Sequence, residues 1–158
     1  MTLLLFILVG ILPLFTQSLG NNAQGRQLTE VTNEARQHLE ALLQAPFDGD
    51  RLAVPDGDSE LLAEDLWSDG ERRWIASADF PAGETPLYRR TTRVRQFGVD
   101  AIGDGDLELE DGEALPGGTP PARVHLKEIE VRVESAPDAP FSRLIKRKVV
   151  TLRSLRSS

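Results

Sequence analysis

The sequence predicts an α+β fold in which a long N-terminal helix, its first half membrane-embedded, packs on a small antiparallel β-sheet. Three observations carry that reading. An uncharged run from Leu3 to Phe15 merges into a stretch with apolar residues every three or four positions. Turn-forming residues crowd the segment from Asp48 to Gly70. From Arg72 onward apolar residues recur with a period of two, the signature of strands.

The helix is expected to run from Leu3 to Gln44 in two regimes. Residues 1–19 read as its transmembrane part and residues 20–47 as an amphipathic extension, with residues 48–158 forming a sheet domain with acidic loops. The first regime comprises Leu3, Leu4, Leu5, Phe6, Ile7, Leu8, Val9, Gly10, Ile11, Leu12, Pro13, Leu14 and Phe15. An all-apolar helix belongs in lipid or deep in protein, and Gly10 would let a neighbouring helix approach closely. Pro13 removes a backbone hydrogen bond and predicts a kink. The run is shorter than the ~20 residues of a bilayer crossing. A secretory signal fits poorly, because no basic residue precedes the run, although Ser18 and Gly20 are small enough for a peptidase. In the second regime Leu28, Val31, Ala35, Leu39 and Leu42 form one face, predicted to lie on the sheet. Pro46 ends the helix by forcing the preceding residue out of helical geometry.

Between Asp48 and Gly70 the sequence predicts loops with one short helical turn at Ser59 to Leu66, where Ser59 could cap. "RRWIASADF" (Arg72 to Phe80) and "LYRRTTRVRQF" (Leu87 to Phe97) read as strands, with a further short strand at Asp106 to Glu110. "RVHLKEIEVRVES" is the clearest strand: Ile129, Val131 and Val133 alternate with Glu130, Arg132 and Glu134. Val124 and Leu126 are out of phase with that set, which predicts a bulge at Lys127–Glu128. "FSRLIKRKVVTLRSL" then supplies an antiparallel partner strand. About four antiparallel strands result besides the short one at Asp106 to Glu110.

Composition narrows the function. A net charge of −7 and a pI near 4.9 argue against nucleic acid as a partner, since phosphate binding needs a basic face. With no cysteine there is no disulfide, no thiolate catalysis and no cysteine-ligated metal. His38 and His125 each lack a second histidine at helical spacing, so metal binding is not indicated. "DGDLELEDGE" places Asp104, Asp106 and Glu108 at alternate positions, as in a calcium loop, but Leu109 falls where the EF-hand needs glycine. A solvated acidic loop is the plainer reading, and a calcium site at these three residues the alternative. Trp67 and Trp74 read as core residues, a ligand platform being the alternative. No nucleophile elbow or phosphate-binding loop occurs. The chain therefore reads as non-catalytic, with no cofactor.

The first 47 residues carry a more specific signal. An apolar Leu/Ile/Val/Gly run, a polar stretch and the ending Ala35, Arg36, Leu39, Glu40, Leu42, Pro46, Phe47 together resemble the N-terminal helix of type IV pilin-like proteins. The likeness is narrower to minor pilins and pseudopilins of the pilus-modification type. The C-terminal "VHLKEIEVRVES" and "KRKVVTLRSLRSS" are similar, more loosely, to the closing hairpin of that family, whereas Asp48 to Ala122 carries no resemblance. The resemblance implies a pilin-like fold and a subunit held in the inner membrane by a single pass, with its C-terminal domain periplasmic or extracellular. It implies assembly with other pilins or pseudopilins through the N-terminal helix, in a type IV pilus or a type II secretion pseudopilus. An assembly platform and ATPase machinery would be indirect partners. The family's basic leader, its processing-site glycine and the phenylalanine and glutamate that follow do not occur ahead of the run. Pro13 matches the proline many pilins carry in this helix, so Met1 is expected to be an internal start. The alternative function is a secreted or membrane-anchored extracytoplasmic binding module with acidic, calcium-binding loops.

Overall fold

The computed structural model describes residues 17, 18, 22, 25, 28–67, 73–98, 114–137 and 149–158. Strands β1 (Leu61–Trp67), β2 (Trp74–Ala76), β3 (Tyr88–Phe97), β4 (Leu126–Ser135) and β5 (Val149–Ser157) form one sheet in the order β2-β1-β3-β4-β5. Every neighbouring pair is antiparallel. The long central strands β3 and β4 pair along their whole length, from Tyr88 opposite Ser135 to Phe97 opposite Leu126. Helix α1 (28–44) covers one face of this sheet.

Alternation sets which side chains meet the helix. Val94 of β3 and Ile129, Val131 and Val133 of β4 are fully buried under Val31 and Ala35 of α1, with Leu42 and Leu52 closing the cluster. Leu39, Leu61, Trp74, Tyr88, Val150 and Leu152 pack around its margin. Each large apolar side chain so buried contributes about 1.5–3 kcal/mol. Beyond Pro46 the chain descends through tight turns, Gly49 N–H donating to Pro46 O at 3.0 Å and Leu52 N–H to Gly49 O at 2.9 Å. A 3₁₀ turn at Asp50–Leu52 inserts Leu52 into the core.

The architecture corrects the expected long helix on a small sheet. The continuous helix that packs on the sheet is short, 28–44, and the sheet, at five strands, is the dominant element. Among the described residues no helix is long and apolar enough to cross a membrane, so a single membrane pass has no support from the structure. The residues expected to form the membrane segment, Leu3 to Phe15, lie outside the described residues, as do the strand expected at Asp106 to Glu110 and the acidic trio Asp104, Asp106 and Glu108.

The extra width comes from β1, where a helical turn was expected. "LLAEDLW" is rich in helix formers, but pairing overrides that propensity. Alternate residues Leu61, Ala63, Asp65 and Trp67 lie opposite Val94, Thr92, Arg90 and Tyr88 of β3. The strand expected from Arg72 to Phe80 is confined to Trp74–Ala76 and passes into a 3₁₀ turn at Ser77–Asp79. The bulge expected at Lys127–Glu128 does not occur: the β3–β4 register runs unbroken through both residues. Lys127 is instead in phase with Ile129, Val131 and Val133 on the core face and is buried. The antiparallel pairing expected between the last two strands is present, from Leu126 opposite Ser157 to Glu134 opposite Val149.

The loops at one end are tied by backbone contacts. Gly117 N–H donates to Asp58 O at 2.8 Å, and Leu115 N–H to Gln96 O at 2.7 Å. A Cβ at Gly117 would sit 1.8 Å from the carbonyl oxygen of Pro55. Gly117→Ala is therefore expected to destabilise the protein by roughly 1–3 kcal/mol through forced backbone displacement, read as a lower urea midpoint with an unchanged m-value. Gly57→Ala, where the space is open but φ is +85°, supplies a strain-only comparison.

Candidate functional site

The seam between α1 and the sheet gathers most of the buried polar chemistry among the described residues. Its apolar part was predicted from five residues, and the structure brings four of them to the sheet. Val31, Ala35 and Leu42 are buried, and Leu39 is half-buried against the core. Leu28, at the start of the described continuous helix, is 43% exposed and does not contribute. The face also recruits two polar residues of α1. His38 Nε2 shares a hydrogen bond of 3.0 Å with Thr92 Oγ1 of β3. Glu34 Oε2 accepts from Trp74 Nε1 of β2 at 3.2 Å.

Beneath these contacts lies an ion pair spanning two strands. Arg90 donates from Nε and Nη2 to Asp65 Oδ2 at 3.1 and 2.5 Å. The two residues are register partners on the core-facing side of β3 and β1. The guanidinium carbon of Arg90 sits 4.5 Å from the centroid of the Trp74 ring, an arrangement in which the ring's negative face stabilises the cation. Trp74 in turn meets Trp67 at 5.6 Å between centroids, and Trp67 meets Tyr88 at 5.1 Å. The two tryptophans thus act as packing elements at the β2 margin of the sheet. Glu34, Trp74, Arg90 and Asp65 form a continuous polar chain from α1 across β2 and β3 to β1.

Burial holds His38 well below the ordinary histidine range, at about 4. Arg90 and Arg51 add to the depression, while Asp65 opposes it. The imidazole is accordingly neutral at physiological pH. Asp65 receives both bonds of Arg90, and the His38 ring is engaged with Thr92. The seam's polar groups satisfy one another across the helix–sheet boundary, and the arrangement fixes the helix on the sheet.

At the opposite end of α1, one cation closes the helix C-terminus and a second holds the turns that follow it. Lys127 Nζ donates to Phe47 O at 2.7 Å and Leu52 O at 3.0 Å, and lies 4.7 Å from the Phe47 ring centroid. Arg156 Nη1 of β5 donates to the carbonyls of Ala45 and Leu42. Helices leave their last carbonyls without partners, and cations there also suit the negative end of the helix dipole. Sequence reasoning missed both residues. The signal available for Lys127 was its phase with Ile129, and for Arg156 its phase with Val150 and Leu152.

The open face of the sheet carries a lattice of ion pairs. Arg89 meets Glu64 at 2.9 Å, Arg93 meets Glu60 at 3.2 Å, Arg132 meets Glu134 at 2.8 Å, Arg153 meets Glu130 at 2.6 Å, and Arg95 pairs with Glu128. Among the described residues no group of histidine and acidic side chains is placed to hold a metal ion.

Comparison with known proteins adds no relative: no protein-family model, no curated protein and no solved structure matches the chain. The likeness to pilin-like proteins stands on sequence motifs alone.

Two outcomes follow from the seam. Asp65→Ala, which strands the Arg90 charge under the helix, is expected to cost roughly 3 kcal/mol, because removing one partner of a buried pair leaves an uncompensated charge. The double variant Arg90→Met, Asp65→Leu should recover most of that loss, a pattern that equilibrium urea denaturation measures. The second concerns pH. With His38 near 4 in the folded protein and 6.5 in the unfolded chain, protons bind the unfolded chain first. Its stabilising contribution is complete above pH 6.5 and is lost progressively as pH falls to about 4. The difference in urea midpoint between the native protein and His38→Gln should therefore shrink across that window, and an offset independent of pH would refute the assignment.

Proposed function

We propose that the chain is a non-catalytic minor pilin or pseudopilin, a subunit that assembles or modifies a type IV pilus or a type II secretion pseudopilus. The observation that carries the reading is the order of two features along the sequence. An amphipathic helix is fastened onto one face of an antiparallel sheet by Val31, Ala35, Leu42 and the His38–Thr92 bond. Ahead of it in the sequence lies the apolar run from Leu3 to Phe15. Between the two, Gln17, Ser18, Asn22 and Gly25 are helical and exposed. In this reading the apolar run packs among sister helices and the lipid of the inner membrane, where van der Waals contact and close approach at Gly10 drive association. The sheet domain faces the extracytoplasmic side and selects neighbours, with the platform protein and ATPase acting on the assembly indirectly.

The experiment is a photo-crosslinking amino acid in place of Ile11 in the native host, combined with deletion of the gene. Adducts identified by mass spectrometry as proteins with prepilin-type N-termini, together with altered surface filaments or secretion on deletion, are the expected outcome. Adducts that contain no such protein, with filaments and secretion unchanged, would refute the reading.

A further inference from the structure

The two edges of the sheet are built differently. One is β2, three residues long and cut off by a 3₁₀ turn and Pro81. The other is β5, nine residues long without proline or glycine, and among the described residues it pairs on one side only, with β4. Ser158 N–H donates to His125 O, in step with the β4–β5 register. This places even-numbered residues of β5 in the hydrogen-bonded pairs with β4. The N–H and C=O groups of Val149, Thr151, Arg153 and Leu155 therefore point outward, an open template for another strand.

Two of those residues are also large exposed apolar side chains: Val149 is 44% and Leu155 68% exposed, both on the face away from α1. We propose that the β5 edge pairs with the β5 edge of a second copy of this chain, antiparallel about a two-fold axis at Leu152. That register sets Val149 opposite Leu155 of the second copy, and Leu155 opposite its Val149, so both exposed apolar side chains are covered twice over. It sets Leu152 against Leu152 on the helix-facing side and Arg153 against Thr151. Between Val149 and Leu155 the charges agree with this choice. Centring on Arg153 would place two guanidinium groups directly opposite each other, which destabilises a pair. Centring on Ser154 would place Leu155 against Arg153. In the Leu152 register Arg153 keeps its own partner, Glu130, at 2.6 Å, and brings no unpaired charge to the axis. The interface is isologous and closed, as a two-fold dimer requires, and extends two five-stranded sheets into one. It is separate from contacts made through the N-terminal run.

The chain contains no cysteine, so engineered cysteines report on this register alone. The full chain in detergent is prepared as two variants, Val149→Cys and Leu155→Cys, and oxidised with copper phenanthroline separately and mixed. Paired residues would have Cα atoms about 5.5 Å apart, within the span a disulfide bridges. The expected result is a 149–155 cross-linked dimer in the mixture and not in either variant alone. Adding Thr151→Pro, which deletes only an outward N–H, should abolish that cross-link while the circular dichroism spectrum is unchanged. A mixture that cross-links no more than the separate variants would overturn the proposal, as would a cross-link that survives Thr151→Pro.

Discussion

Lys127 Nζ donates to the carbonyls of Phe47 and Leu52 from a side chain that is 4% exposed, and the path of the chain from helix to sheet depends on those two bonds. Phe47 and Leu52 flank the turns that carry the chain off α1. Neither carbonyl is satisfied by helix or ladder, and an unpaired buried carbonyl costs about as much as a lost hydrogen bond. A lysine in the core-facing row of a strand is costly in itself, and burial pulls its ammonium below the usual lysine range, Arg156 adding to the effect and Asp48 opposing it. It is accommodated because both carbonyls and the face of Phe47 receive the charge. Arg156, its register partner on β5, does the same for the last carbonyls of α1. The two cations fix one end of the helix over β4 and β5. The other polar anchors, Glu34–Trp74 and His38–Thr92, fix it over β2 and β3.

The same lysine shows how far the sequence could be read. Period-two alternation identified β3, the core-facing residues of β4 and the pairing of β4 with β5, and helical spacing identified Val31, Ala35, Leu39 and Leu42. In each case a long element with a single buried face made the pattern legible. The reading failed where a polar residue occupies a core position. Lys127 was assigned to a bulge because hydrophobicity alone would have Val124 and Leu126 face inward; the structure keeps a straight strand and buries the lysine with its partners. It failed again at β1, whose composition favours helix and whose inward row includes Asp65. That carboxylate reads as solvent-facing until Arg90, 25 residues on in the chain, is placed opposite it. Leu28 marks the reverse case: apolar and in phase, but beyond the part of the helix that meets the sheet.

For the candidate site, the legible part was the apolar face and the illegible part was its polar closure. His38 lies beside the apolar stripe in sequence, but its partner Thr92 is a residue of no distinguishing pattern on a strand 54 positions away. Pairs of this kind follow from register, and register is a tertiary property. Their effect is to make the helix position specific: apolar contact alone would tolerate a slide of α1 along the sheet, whereas a half-buried imidazole, an indole N–H and the carbonyls held by Lys127 and Arg156 each have a single satisfactory place.

The charged open face performs the corresponding task for the strands. An apolar row with period two resists a slip of one residue, because that would turn the whole row to solvent. It does not resist a slip of two, since Thr92, Val94 and Gln96 would then meet Val133, Val131 and Ile129, or the reverse shift, with similar burial. The open face separates these alternatives. In the observed register Arg89, Arg93 and Arg95 lie across from Glu134, Glu130 and Glu128, and no like charges are opposed. A slip of two in one direction would put Arg93 against Arg132, and in the other Arg89 against Arg132. Each direct cross-strand pair is worth only about 0.2–1 kcal/mol, too little to count as the source of stability. The difference between three facing pairs of opposite charge, of which Arg95–Glu128 is in direct contact, and a repulsive one still biases the register of a sheet whose apolar row alone leaves it undecided. Burial under α1 therefore determines that β3 and β4 associate, and the polar anchors of the seam together with the arginine–glutamate lattice on the opposite face select where.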